Sequence, residues 1–229
     1  MVAGAVSIIV PVHNDHAALA RLLRLLKTDG GIDAPHEVIV VDASDAQQTA
    51  ALCQTMGARY LSSAQGRGVQ LNAGAAAANN PIVWFLHADA MPPADGLAHV
   101  SRAIGAGAVG GWFRFRFAGA SSKGQQNLAA LINLRAERGV AYGDQGLFFT
   151  QRFFSQAGGF EALPLFEEVS LVKRAKATGQ FAACDATIGV DPRRWQRSGW
   201  VRRTIYNRLL AFGFRLGIGA DTLARWYRR

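Results

Sequence analysis

The run PIVWFLHADAMPP, residues 81 to 93, climbs through five apolar residues and then delivers His87, Ala88 and Asp89 before two prolines close it. An imidazole and a carboxylate two positions apart at a strand end project to the same side of the strand. Such a pair can hold a divalent cation: the carboxylate suits any hard ion, and the imidazole suits Mn2+ better than Mg2+. Read alone, Asp89 would be ordinary turn chemistry. Two further apolar runs end on polar groups. SIIVPVHND reaches His13, and VIVVDASD ends on Asp42, a carboxylate placed to accept hydrogen bonds at a strand end. Asp45, three residues later, reads as the cap of the helix that follows.

The elements that must position these groups alternate. AVSIIVPV, residues 5 to 12, predicts a buried strand; Asn14 or Asp15 then caps a helix whose Leu19, Leu22, Leu23 and Leu26 fall at i, i+3, i+4 and i+7. HEVIVVD predicts a second strand, residues 46 to 56 a helix, ARYLS a short strand, and residues 67 to 79 an Ala-rich helix leading into PIVWFL. Strands that are apolar on both faces and alternate with helices call for a mostly parallel sheet covered on each side. In open sheets of this kind ligands sit beyond the carboxyl ends of the strands, where His13, Asp42, His87 and Asp89 all fall. After residue 100 the alternation loosens. Phe113, Phe115 and Phe117 share one face of a strand with Arg114 and Arg116 on the other, DQGLFFT predicts another strand, and EEVSLVKRAKATG a helix stopped by Gly179. The chain reads as one domain, with parts at about 1–105 and 106–192 and a tail at 193–229.

Half of the 229 residues are hydrophobic and 18% are charged, which supports a sizeable core and excludes wholesale disorder. The N-terminal stretch has no basic n-region and no apolar run reaches transmembrane length, so the expectation is a protein neither secreted nor membrane-spanning. Cys53 and Cys184 form no Cys-x-x-Cys motif, which argues against zinc ribbons and thioredoxin-like chemistry and fits a cytoplasmic location. The formal charge of +9 is concentrated: from Arg193 to Arg229 there are ten arginines against the single acid Asp221, leaving the first 192 residues neutral. A neutral body argues against a nucleic-acid partner. Val201, Ile205, Leu209, Phe212 and Leu216 follow a helical stripe within GWVRRTIYNRLLAFGFRLG. The favoured expectation docks that stripe on its own domain or on a second copy; contact with the inner face of a membrane is the alternative. The glycines of GRGVQLNAGAA match neither G-x-G-x-x-G nor a P-loop, which disfavours dinucleotide dehydrogenases and P-loop enzymes.

The ordered set SIIVPVHND, VIVVDASD, GRGVQLNAGA, FLHADAMPP, GDQGLFF and LPLFEEVSLVKRAKATG resembles family 2 glycosyltransferases of GT-A fold, most of all the small bacterial group called radical-SAM/selenodomain-associated transferase 2. The resemblance runs from about residue 5 to the C-terminus. It implies a Rossmann-like three-layer α/β/α sandwich with a C-terminal helical extension, a nucleotide-diphosphate-sugar donor, an unspecified acceptor, Mn2+ or Mg2+, and inversion at the anomeric carbon. The first part of the chain would bind the nucleotide and the second the acceptor. Pro11 and Val12 match the strand end whose backbone meets the base, Asp42 the carboxylate that reads base or ribose, and Arg67 a basic group beside the nucleotide. HAD stands at the D-x-D position, making Asp89 the metal and diphosphate residue with His87 beside it. FEEVSL takes the place of a Glu-Asp motif, making Glu168 the general base with Glu167 adjacent, and Asp144 of YGDQG faces the acceptor. DPRRWQRSGW is similar to a Q-x-x-R-W element, which places Arg194 and Trp195 at the diphosphate or the acceptor; Trp195 packed beneath a surface arginine is the other reading. Outside this class stand a nucleotidyltransferase, disfavoured because PVHNDHAAL lacks a basic Gly-rich loop, and an inactive transferase fold serving as a membrane or partner-binding module.

Overall fold

The computed structural model describes residues 4–28, 36–44, 47–119 and 122–227; Asp45, expected to cap a helix, lies outside them. The first half follows the expected alternation: β1 (Val6–Val12), α1 (His16–Thr28), β2 (Glu37–Asp42), α2 (Gln47–Met56), β3 (Arg59–Ser62), α3 (Arg67–Ala76), β4 (Ile82–Phe85) and the short β5 (Ala90–Met91). Then come α4 (Gly96–Gly105), β6 (Gly110–Phe117), α5 (Lys123–Arg138), a 3-10 turn at Gly143–Gln145, β7 (Phe148–Thr150), α6 (Gln151–Gln156), α7 (Val169–Ala177) and β8 (Phe181–Val190). The tail forms α8 (Arg193–Ser198), α9 (Trp200–Arg215) and α10 (Ala220–Tyr227).

The strands make one sheet in the order β3-β2-β1-β4-β7-β6-β8-β5. Pairings of β1 with β2 and β4, of β2 with β3, and of β6 with β8 are parallel, while β7 runs against β4 and β6, and β5 against β8. Six strands therefore share one direction and two oppose it, which bears out a mostly parallel sheet.

Both faces of that sheet are covered because successive residues of its strands point to opposite cores. Ile8 and Val10 pack with Leu19, Leu22 and Leu23 of α1, Cys53 of α2 and Val100 of α4. Ile9, on the other face, packs with Leu71 and Ala75 of α3, Phe154 of α6, and Leu171, Val172 and Ala175 of α7. The result is the expected three-layer α/β/α sandwich.

Two features depart from the sequence reading. Strand β8 has no counterpart in it: FAACDATIGV is rich in small residues, lacks regular alternation, and bulges against β6 between Phe113 and Arg114, where pairing jumps from Cys184 to Thr187. The tail is the second. Helix α9 docks on the domain, but through Tyr206, Leu210, Ala211 and Phe214, which join Phe166, Val169 and Leu223 in a small core. The stripe of Val201, Ile205, Leu209, Phe212 and Leu216 is exposed instead, which corrects its expected burial on the chain's own domain. No helix among the described residues is long and apolar enough to cross a membrane.

These two faces of α9 make a direct test. Leu210→Ala removes a 3% exposed side chain and should cost about 2–4 kcal/mol in urea unfolding. Leu209→Ala, next to it and 60% exposed, should change stability by no more than about 0.5 kcal/mol.

Candidate active site

Strand direction decides where the polar groups collect. The carboxyl ends of β1, β2 and β4 carry Val12, Asp42 and, just past Phe85, His87. Strand β7 runs the other way, so the turn preceding it, with Asp144, reaches the same edge; antiparallel β5 likewise brings Asp89 there at its start. The parallel β8 ends at this edge with Asp191, followed by Arg193 at the start of α8.

Helix α3 fixes one wall. Gln70 is buried, and its Nε2 donates to the carbonyls of Val12 and Val41 at 2.8 Å each, tying the ends of β1 and β2. Asn72 exchanges two hydrogen bonds with the backbone of Phe160, at 2.9 and 3.0 Å. Gly68 lets these elements meet: a Cβ there would lie 2.3 Å from the Glu161 carbonyl oxygen. This close approach brings Arg67 against Glu167, to which it donates from Nε and, at 3.0 Å, from Nη2. Burial opposes the Arg67 charge, but Glu167 outweighs it and raises the guanidinium pKa.

Glu167 and Glu168 are both buried, at 1% and 3% exposure. Arg67 answers Glu167. Glu168 has a different neighbour, accepting on Oε1 from the Gly143 N–H at 3.0 Å, while its buried Oε2 has no hydrogen-bond partner. Burial first, and then the charge of Glu167, push its pKa up to about 7 from an ordinary 4.5. The preceding residue, Phe166, is held at φ 67, a conformation costly for a bulky side chain. Its ring packs on Phe214 of α9 at 4.8 Å and on Tyr142 at 5.8 Å, so the tail and the 142–146 turn hold the corner on which both glutamates sit.

The 142–146 turn is anchored from below. Trp84 of β4 donates from its indole nitrogen to the Gly146 carbonyl at 3.1 Å. Gly146 adopts the left-handed conformation, and a Cβ there would come within 2.9 Å of Ile188. Gly143 lies between two site residues: a Cβ on it would be 3.1 Å from His87 Nε2 and 3.9 Å from Glu168 Oε1. Asp144, beside it, has a buried Oδ1 without a partner. Burial and then the charge of Arg67 lower the His87 pKa, leaving a neutral imidazole at pH 7.

Asp42 is buried and accepts on Oδ1 from the Ser44 amide at 2.8 Å and the Ser44 hydroxyl at 2.5 Å; its Oδ2 is unpartnered. Burial opposes its charge, but the hydrogen bonds, led by Ser44, outweigh that and lower its pKa. Pro11 is half-buried one residue before Val12, opposite Val41 in the sheet.

At the other end of the edge, Asp89 meets Arg193. One nitrogen, Nη2, donates to Asp89 at 3.0 Å and to Asp15 at 2.8 Å, and the Arg193 amide donates to Asp191 at 2.9 Å. Arg194, the residue expected here, instead donates to the Tyr227 hydroxyl and lies over that ring. Trp195 packs among Phe115, Phe117 and Trp200, so its surroundings are aromatic and not the surface arginine of the other reading. Sequence reasoning thus missed Arg193 and Gln70, took Asp15 only as a helix cap, and met Asp191 only as the residue at the Gln position of the Q-x-x-R-W element. Which of two adjacent arginines faces the site depends on the phase of α8, and Asp191 gains its meaning only once β8 is known. A cavity of about 330 Å³ flanks Asp89 on its α1 side, lined by Ala18, Arg21, Ala88 and Met91 among others.

Among the described residues, no group of three or more His, Cys, Asp or Glu side chains is arranged to hold a metal ion. The donors present, a half-buried Asp89 carboxylate and a neutral His87 imidazole, fit a divalent ion that takes its remaining ligands from a bound phosphate or water; they do not make a protein-only cage.

A family model described as "Glycosyl transferase family 2" matches residues 7–158. A comparison with curated proteins finds no match. Among solved structures, glucosyl-3-phosphoglycerate synthase from Mycobacterium tuberculosis, in complex with phosphoglyceric acid, is similar at 21% identity and a TM-score of 0.60, covering 82% of this chain and 71% of that one. A mannosyltransferase from Pyrobaculum calidifontis in complex with GDP-Man and Mn2+ is similar at 18% identity and a TM-score of 0.63, covering 95% and 67%. Residues 1–349 of TarS from S. aureus give 17% identity and a TM-score of 0.64, covering 82% and 61%. At these identities the likeness concerns the fold.

The raised Glu168 pKa has a consequence for stability. The unfolded chain releases this proton near pH 4.5 and the folded protein near 7, so between those values the folded state binds more protons and stability falls as pH rises. Glu168→Gln keeps an acceptor for Gly143 and removes that loss. Relative to the parent it should be near neutral in stability at pH 4.5 and more stable by on the order of 3 kcal/mol at pH 8, as checked by urea titration at both pH values.

Proposed function

The chain belongs to glycosyl transferase family 2, and we propose that it transfers a sugar from a nucleotide-diphosphate donor to a hydroxyl acceptor by a single displacement that inverts the anomeric carbon. The observation that carries this reading is Glu168: a buried carboxylate with one oxygen fixed by a backbone amide, the other unpartnered, and a pKa brought to about 7. A base of that strength is matched to proton removal near neutral pH. Support for the donor class comes from relatives of the same fold in complex with GDP-Man and Mn2+ and with UDP-Glc and Mn2+.

We assign the nucleoside to the ends of β1 and β2, with the backbone of Pro11 and Val12 beside the base and Asp42 Oδ2 accepting from base or ribose. Arg67 stands at the nucleotide side of the same wall, its charge shared with Glu167. The diphosphate is assigned to the Asp89 end, where Arg193 adds a positive charge and where His87 and Asp89 would hold a divalent ion. When bound, that ion supplies positive charge against the negative charge growing on the leaving diphosphate. Glu168 Oε2 accepts the proton of the acceptor hydroxyl as its oxygen bonds to the anomeric carbon. The bond from that carbon to the diphosphate oxygen breaks, and its electron pair leaves with the diphosphate. Attack from the face opposite the leaving group is what inverts the centre. Asp144 Oδ1, buried and unpartnered, is the acceptor-orienting group in this assignment.

Donor turnover measured across UDP-, GDP- and dTDP-sugars with Mn2+ or Mg2+ tests the reading; a folded protein that binds none of these nucleotides overturns it. Asp89→Ala should lower turnover by roughly a hundredfold or more. Glu168→Gln should lower kcat by about 10²–10⁴ while calorimetric donor affinity stays within about twofold, and the rise of parent activity through pH 7 should vanish. An equal loss of donor affinity in Glu168→Gln would contradict its role as base.

A further inference from the structure

Helix α9 has two apolar faces, and only one is used by the fold. Tyr206, Leu210 and Phe214 pack toward Phe166 and Leu223. On the opposite side, Val201, Ile205, Leu209, Phe212 and Leu216 are between 53% and 73% exposed. At 3.6 residues per turn these five fall within an arc of about 80° along some 22 Å of helix, centred roughly 140° from the docked face. Five large apolar side chains in one unbroken strip on a monomer mark a contact surface rather than scattered exposure.

The charges bordering the strip identify what it contacts. Arg202 lies along one edge, and Arg208 and Arg215 along the other; all three are exposed, and none takes part in an ion pair among the described residues. They belong to a segment that carries the chain's entire +9. A second copy meeting this one through the same strip would set two such segments against each other, where like charges repel. An anionic lipid surface reverses the sign: the strip enters the acyl boundary while the flanking guanidinium groups reach lipid phosphates on either side.

We infer that α9 is a docking surface for an anionic bilayer, lying in the plane of the interface with Val201, Ile205, Leu209, Phe212 and Leu216 inserted and Arg202, Arg208 and Arg215 on phosphate headgroups. The inference is independent of the catalytic assignment. Its other consequence is positional. The face of α9 turned away from the lipid packs on Phe166 and Val169, the residues on either side of Glu167 and Glu168, so the lipid-bound helix and the glutamate corner form one packed unit.

The test is co-sedimentation of the whole chain with phosphatidylcholine vesicles, with and without phosphatidylglycerol, and analytical ultracentrifugation without lipid. Binding is expected only with phosphatidylglycerol and should weaken with added salt. The double substitution Leu209→Glu with Phe212→Glu should reduce partitioning at least roughly tenfold, and the triple substitution of Arg202, Arg208 and Arg215 by Gln roughly a hundredfold. Both should leave thermal melting and soluble donor turnover unchanged, which separates this result from any failure of the catalytic reading. Absence of binding to phosphatidylglycerol vesicles, or equal binding by parent and variants, overturns the inference. So does a lipid-independent dimer that Leu209→Glu with Phe212→Glu dissolves, which would assign the strip to a second copy.

Discussion

One guanidinium faces two adjacent buried carboxylates, and the site is organised around the fact that it can pair closely with only one of them. Arg67 takes Glu167 in a two-pronged contact, which pays the desolvation of that carboxylate with an opposite charge. Glu168 is left with a single backbone donor and the repulsion of its neighbour, so its proton is held to about pH 7. Geometry enforces the asymmetry. Gly68 and Asn72 set α3 against the 160–168 segment, and that fixes Arg67 on the Glu167 side.

The clamp has a second support in the tail. Phe166 is held in a left-handed conformation immediately before the two glutamates, and the ring packed against it from the tail belongs to Phe214 of α9. A bulky residue stays there only when its surroundings determine it from several sides. Tyr142 supplies one side, α9 another, and Trp84 holds the turn that carries Tyr142 by its bond to Gly146. The buried strand β4 and the basic C-terminal helices thereby act on the same two carboxylates from opposite directions.

The first half of the fold was legible because its strands are apolar on both faces and its helices show a 3.6-residue period, and those patterns place His13, Asp42, His87 and Asp89 at one edge. Strand β8 was not legible. Its small residues and central Asp185 carry no alternation, and its place beside β6 is a long-range pairing that local sequence does not encode. That omission hid the place of Asp191 at the end of β8 and, with it, the reason Arg193 rather than Arg194 meets Asp89. The stripe on α9 was legible as a pattern, but its partner was not. An apolar period states that a face avoids water; it does not state which of two apolar faces on one helix the domain will take.

The charge balance around Asp89 follows from two residues that act in the same direction. His87 is neutral at pH 7 because burial disfavours its charged form, so this position adds a lone pair but no negative charge. Arg193 spans Asp89 and Asp15 and is further bonded to Asp191, so it brings a positive charge onto the carboxylate that would hold a divalent ion. A carboxylate at position 87 would deepen the negative potential felt by such an ion, and a neutral side chain at position 193 would leave that potential unopposed. Both residues present here do the reverse. Relative to those alternatives they lessen the attraction for a cation, while the three carboxylates gathered around Arg193, those of Asp89, Asp15 and Asp191, keep the cluster as a whole net negative.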